Sequence, residues 1–307
     1  MHELNDQTVT SALIEDLIKE KRAERRWKNI RSILWLVLVA LIFFSIFNWT
    51  HGKKGAMSSL DDKYVALIRL DGMIAPGRDF SAEEIVPLLH DAFTDKGATG
   101  ILIDINSPGG TPVQASIIHD AIESFKKKYK KPVIVVGEDL LTSGAYYVAV
   151  AADKIYVNPN TLTGSIGVIM KGFGFVDLMK KIGVERRVYV SGNAKDRLDP
   201  FLPQTPEDQI KIQNVMTEVH DNFAQAVVRG RQGKLKGDLK ELFSGDFWSG
   251  QTALKLGLVD GLGNLWEVME KEFHTTNFKE YNNSPNFVKL ISGQLGTAID
   301  TWFYSYS

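Results

Sequence analysis

The stretch "GILIDINSPGGTP", residues 100–112, decides how this chain is read. A short, almost wholly apolar run is followed by Asn106, Ser107, Pro108 and two glycines, and then by a pattern with helical period. An apolar run of this length without polar alternation reads as a strand buried on both faces, and the turn residues that end it lead into a helix. The same grammar recurs on either side. "YVALIRL" (64–70), "PVIVV" (132–136) and "KIYV" (154–157) read as strands, while "SAEEIVPLLHDAFTD" (81–95) and "TPVQASIIHDAIESFKKKYK" (111–130) have helical period. Ser81 with Glu84 has the spacing of a capping box. Strand and helix in alternation predict βαβ units: an α/β fold with a largely parallel sheet, helices over it and right-handed crossovers. Ligands of such sheets bind at the C-terminal ends of the strands, where "NSPGG" (106–110) and "TSG" (142–144) both fall.

Outside that unit, composition removes several classes of function. The formal net charge is −1, which supplies no basic excess for nucleic acid, and the absence of cysteine excludes disulfides, thiolate nucleophiles and cysteine metal sites. The six histidines are scattered and none forms an HExxH pair, so no metal site is expected. From Ser32 to Thr50 no residue is charged, and 19 residues span roughly 28 Å, close to the ~30 Å hydrocarbon core. Lys19, Lys21, Arg22, Arg25, Arg26, Lys28 and Arg31 precede it, whereas only Lys53 and Lys54 follow closely. The positive-inside rule then predicts a single-pass anchor in the cytoplasmic membrane, with the N-terminus in the cytoplasm and everything beyond it extracytoplasmic. A cleaved signal peptide fits less well, because the charged leader is long, contains Glu20 and Glu24, and no convincing small-x-small site follows the apolar run.

The expected organisation is an N-terminal tail (1–31), an anchor (32–50), a linker (51–63), a main folded domain (64–275) and a C-terminal amphipathic segment (276–307). Within the domain, "RRVYV" (186–190) reads as a strand ending at Ser191, and residues 206–231 read as a long helix with proline at its start.

Ser143 stands where an apolar strand stops and a small-residue helix begins. Two readings are open: a helix cap, whose hydroxyl accepts from a first-turn amide, or a nucleophile. GxSxG would need glycine at 141 and 145, which hold Leu141 and Ala145, so an α/β-hydrolase elbow is not supported. His119 beside Asp120 does not make a triad, since adjacent residues on a helix point different ways. Lysine is the other available base, provided desolvation or neighbouring cations release its proton. Lys195, in "YVSGNAKDRLDPFLP" (189–203), lies in a loop of the kind that presents functional side chains, and Lys171 is its rival. Gly109 and Gly110 are either an ordinary turn or donors for an oxyanion, and Ser165 in "TGSIGV" (163–168) reads as a loop hydroxyl.

Together, "DINSPGG" (104–110), "LTSGAYYVA" (141–149), "TGSIGV" (163–168), "SGNAKD" with Pro200 and "FWSGQTALKLGLVDGLG" (247–263) resemble the signal peptide peptidase A family of membrane-anchored serine proteases in its short, single-repeat form. The resemblance covers about residues 64–270. It implies a fold related to crotonases and the Clp protease, with 64–275 as the protease domain and a Ser-Lys dyad that needs no cofactor. It puts the nucleophile at Ser143, the general base at Lys195, the lysine-holding hydroxyl at Ser165, and the oxyanion donors at Gly110 or Gly109 with Gly144. It further implies peptide substrates such as signal peptide remnants at the extracytoplasmic membrane surface, and a ring-like homo-oligomer. The rival readings are an inactive membrane scaffold and a crotonase-like acyl-CoA enzyme.

Overall fold

The computed structural model describes residues 31, 34–41 and 63–282. Residues 34–41 are helical and form part of a separate unit, Met1–Asp62. Among the described residues no helix is long and apolar enough to cross a membrane. Apart from residues 31 and 34–41, the expected tail and anchor lie outside the described residues, as do the linker up to 62 and the C-terminal segment from 283 onward.

The second unit is built on one eight-stranded sheet. Strands β1 (Tyr64–Asp71), β2 (Ala98–Ser107) and β3 (Val133–Thr142) are parallel neighbours, linked by helices α1 (Ala82–Thr94) and α2 (Pro112–Tyr129). The α/β class with βαβ units and a largely parallel sheet is as the alternation of patterns predicts. Alternate residues of these strands fill two cores. Ala66, Ile68, Ile101, Ile103, Val133 and Val135 pack beneath α1 and α2. Val65, Leu67, Leu102, Ile134 and Val136 face α8 (Leu265–Phe273). Burial on both sides is why the strands read as continuous apolar runs.

The far end of β3 departs from regularity. Its first half pairs with β4 (Lys154–Val157), but Leu140–Thr142 pair with β5 (Leu162–Gly164), and β5 runs antiparallel to β6 (Phe247–Ser249). Against β2, Ile105 faces Gly137 while Ser107 faces Leu141, so β3 carries two extra residues there. The Asn106 carboxamide oxygen accepts from the Leu140 N–H (3.2 Å), and the Thr161 hydroxyl donates to the Glu138 carbonyl (2.5 Å), which ties the bulge down. A bulge turns a strand. This one sends the end of β3 toward β5 and aims the next residue, Ser143, beyond the sheet.

Short helix α3 (Gly144–Ala149) follows at once, then α4 (Val176–Ile182), α5 (Pro206–Gly230), α6 (Leu239–Leu242), α7 (Gly250–Lys255) and β7 (Gly261–Leu262). Thr205 and Asp208 cap the start of α5 reciprocally. Three local expectations differ from what is seen. Ser81 does precede α1, but its side chain makes no cap bond, and its buried hydroxyl has no partner among the described residues. Residues 186–190 form no strand and pair with none of the strands of the sheet. In the segment expected to be C-terminal and amphipathic, serving oligomerisation (276–307), Phe278–Tyr281 form β8, a parallel edge strand beside β1.

Candidate active site

Ser143 occupies the single residue between β3 and α3, with φ 53° and ψ −126°. A non-glycine residue with positive φ and this ψ is strained by about 1–3 kcal/mol, and it persists only where its surroundings hold it. Here the Ser143 N–H donates to the Gly164 carbonyl (2.8 Å) and its carbonyl accepts from the Tyr147 N–H (3.0 Å), which anchors both sides of the bend. Its side chain makes no capping bond to α3. Of the two readings open in the sequence, the cap is therefore absent, and the hydroxyl is left to face the cleft.

The glycines stand beside it. Gly109 has φ 92°, and a methyl group there would lie 2.6 Å from the Gly144 nitrogen and 2.8 Å from the Ser143 Cβ. At Gly110 a methyl would come within 2.0 Å of the Ile74 carbonyl oxygen, with which this loop makes a short parallel bridge. Both positions therefore require glycine for space, and Gly109 for conformation too. A methyl on Gly144 would be 3.2 Å from the Gly110 nitrogen, so the two amides are neighbours. Among the described residues neither donates to another group. Two unengaged N–H groups flanking a free serine hydroxyl form a donor pair suited to a carbonyl oxygen that gains charge.

Ser165 follows β5 as Ser143 follows β3, and it too has positive φ, 51°. Thr142 pairs with Gly164, so the two serines leave adjacent strands side by side, about 5 Å apart at the backbone. The Ser165 N–H is held by the Asp246 carbonyl (2.7 Å), just before the "FWSG" stretch. That matched strain is invisible in sequence.

A cleft of 100 Å³ opens from Ser143, Gly110 and Gly144 and is lined by Pro112, Tyr147, Val168, Ile169, Val219 and Phe223. Lys195 does not line it. That residue is exposed and borders a separate hollow of 320 Å³ with Met170, Leu198, Ile212 and Val215. Val215 and Val219 lie about one turn apart on α5, so the two hollows are successive along one helix. Lys171 is exposed and faces a third and larger cavity, 870 Å³, with Met170 and Phe173. The chain thus brings Ser143, Ser165, Gly109, Gly110 and Gly144 together, while no hydrogen bond joins either lysine to them among the described residues. His119 does bond to its neighbour, Nδ1 to the Asp120 carboxylate at 2.8 Å, contrary to the expectation that the two point apart. Its ring packs on Tyr147 (5.2 Å) behind the cleft wall and does not reach Ser143.

Support for α3 comes from residues that the sequence reading passed over. Fully buried Arg231 bonds to the Gly257 carbonyl and pairs with Asp260 at 2.5 Å. Asp260 also takes Lys234 (2.8 Å) and the Ile155 N–H (2.9 Å). Burial works against the Asp260 charge, but Arg231 and Lys234 outweigh it and hold the carboxyl below its usual range. The loop so fixed offers its Leu258 carbonyl to the buried Tyr146 hydroxyl of α3 (2.7 Å). Asp260 and Leu258 lie inside the quoted "GLVDGLG", but only the fold reveals that this motif braces the helix behind the serine.

Residues 125–277 match the family model described as Peptidase family S49. A Brucella melitensis protein named Na(+)/H(+) antiporter NhaA is 43% identical over 214 residues, which cover 68% of this chain and 29% of that protein. The chain therefore spans less than a third of that relative's length. A protein of Enterococcus faecium named putative signal peptide peptidase SppA is 30% identical over 254 residues, covering 78% of this chain and 73% of the relative. Among solved structures, a membrane-bound stomatin-specific protease aligns with 16% identity and a TM-score of 0.45, covering 73% of this chain and 100% of that one.

Proposed function

The chain belongs to peptidase family S49, and from that premise we propose that it is a serine endopeptidase in which Ser143 is the nucleophile and Lys195 the general base. The single observation that carries this reading is the strained, uncapped Ser143 between the unengaged amides of Gly110 and Gly144. In the proposed reaction the Ser143 Oγ attacks a peptide carbonyl as its proton passes to the Lys195 Nζ. The amides of Gly110 and Gly144 hold the resulting oxyanion. Collapse breaks the C–N bond, Lys195 returns the proton to the departing amine, and water, activated by the same lysine, hydrolyses the acyl-enzyme. Ser165, one strand over, orients the lysine when it reaches the cleft.

A lysine acting as base has to be unprotonated, which burial favours. Lys195 is exposed in the single chain, as are Met170 and Leu198 beside it and Ile169, Phe173, Ile182 and Tyr189 elsewhere in residues 169–198. This supports a homo-oligomer in which a second protomer covers residues 169–198 and completes the site. The uncharged run 32–50 and its basic leader support a membrane anchor with the domain on the extracytoplasmic side. Tethering there would favour apolar peptides at the membrane, such as remnants of signal peptides. The test is cleavage of such a peptide by the full chain in detergent, compared with Lys195→Ala. Loss of cleavage in a folded variant is expected, and retained cleavage would remove Lys195 from its role. Light scattering is expected to give an oligomer, and a stable, active monomer would contradict the assembly.

A further inference from the structure

The cleft at Ser143 is walled on one side by a pair of stacked rings, one from the nucleophile's own helix and one from α5. Phe223 on α5 stacks nearly flat on Tyr147, with ring centroids 4.9 Å apart and planes 14° from parallel. His119 packs on Tyr147 at 5.2 Å. The wall is thus the Tyr147–Phe223 pair with His119 behind it, and all three side chains are buried. What remains between this wall, Val168, Ile169 and Val219 is 100 Å³. By comparison with the ~150 Å³ apolar cavity that holds the six carbons of benzene, that is room for about four carbons. Valine and leucine side chains fit within that number, whereas a benzyl group with seven carbons does not.

We propose that Phe223 is the specificity-determining residue of this site: it restricts the residue that supplies the scissile carbonyl to aliphatic side chains no larger than leucine. The inference rests on the reading of Ser143 as a peptidase nucleophile and adds to it the substrate class. Phe223 is singled out because the other wall residues are less separable. Tyr147 holds the Ser143 carbonyl through its own N–H, so replacing it disturbs the nucleophile. Val168 and Ile169 belong to a segment outside helices and strands, which can shift with a ligand. Val219 and Phe223 both arrive from α5, but Phe223 is the ring stacked on Tyr147, and its truncation removes the larger part of that wall.

The experiment uses the full chain and peptide aminocoumarin substrates identical except for Ala, Leu or Phe before the scissile bond, with Phe223→Ala and Phe223→Leu compared to the unaltered protein. Labelling of Ser143 by a small fluorophosphonate reports separately whether each protein is folded and nucleophilic. The unaltered chain is expected to prefer Leu over Phe by at least about 10-fold in kcat/KM. F223A is expected to shift that ratio toward Phe by about 10–100-fold, and F223L by less in the same direction. A general loss of packing would lower all three substrates together and leave their ratios alone. If either variant labels normally and keeps the original ratio, Phe223 does not set specificity. Should the F223A protein fail to fold, F223L carries the same decision. If the unaltered chain itself does not label, the peptidase reading fails first and this inference falls with it.

Discussion

Asp104→Asn should make the protein more stable, and increasingly so as pH rises. Asp104 lies on β2 with its side chain almost wholly buried, and one carboxylate oxygen meets Arg69 at 2.5 Å. The other oxygen has no hydrogen-bond partner among the described residues. Arg69 is shared, since it also lies 4.0 Å from Glu138 and 3.7 Å from Glu280. Burial first, then repulsion from Glu138 and more weakly Asp71, outweigh the arginine and push the Asp104 carboxyl up to about 7. The unfolded chain returns it to the ordinary value of 3.8. Below that value both states hold the proton and stability is full. Between there and pH 7 the unfolded state releases its proton while the folded state keeps it, so stability is lost as pH rises through the folded value.

A gap of about 3 pH units at ~1.4 kcal/mol each sets the total near 4 kcal/mol, of which roughly 2–3 kcal/mol falls between pH 5 and pH 8. Asparagine does not titrate, and Arg69 keeps its two glutamates. Chemical denaturation of both proteins at pH 5, 6, 7 and 8 should therefore show the stability difference growing by about 2–3 kcal/mol across that range in favour of the variant. A constant difference, or a variant less stable at pH 8, would refute the reasoning. Either would mean that Asp104 is ionised and stabilised by Arg69 throughout.

Three further outcomes follow from other sites. Arg231→Met leaves the partly buried Asp260 with the half-exposed Lys234 as its one remaining cation among the described residues, which should cost about 3–5 kcal/mol and appear as a lower midpoint in thermal or denaturant unfolding; an unchanged midpoint would mean that the Arg231 network does not brace α3. Gly110→Ala would put a methyl 2.0 Å from the Ile74 carbonyl oxygen and displace the amide beside Ser143, lowering kcat by about 10²–10³-fold on a peptide substrate; a smaller effect would argue against Gly110 as oxyanion donor. Asp95 accepts from Tyr64 (2.6 Å), Lys279 (2.6 Å) and Tyr281 (2.5 Å), and although burial opposes its charge these bonds hold its carboxyl well below the usual range. Its contribution is present above the ordinary carboxylate value and lost as pH falls through the folded one. Asp95→Asn at pH 7 should speed amide exchange in β8, and unchanged protection there would show that this carboxylate does not fasten the strand.

The strands and crossover helices of the first half were legible because their burial is symmetrical: β1, β2 and β3 bury both faces and so appear as unbroken apolar runs. The short strands were not, since β7 has two residues and β5 three, too few to carry a period. β8 was hidden for another reason. It is an edge strand with mostly exposed residues, fixed by Asp95 from far away in sequence, and nothing local marks it. At the candidate site, Ser143 and the glycine pair stood out by their position between strand and helix. Local sequence could not choose between cap and nucleophile, because that choice lies in the backbone angles of Ser143, which the bulge in β3 and the Gly164 carbonyl impose. Phe223 and Arg231 were absorbed into a helix pattern, where an aromatic ring at a cleft and a buried guanidinium look like any other helical residue. Lys195 was identified only by its motif, and in the single chain it lies one hollow away from the serine.

The most direct test of the central claim is mass spectrometry of the full chain after treatment with a fluorophosphonate, with Ser143→Ala and Lys195→Ala alongside. The account predicts one adduct on the unaltered protein, mapped to Ser143, and none on either variant. A folded, oligomeric protein that takes no adduct, or takes it at another residue, would contradict the assignment of Ser143 as an activated nucleophile.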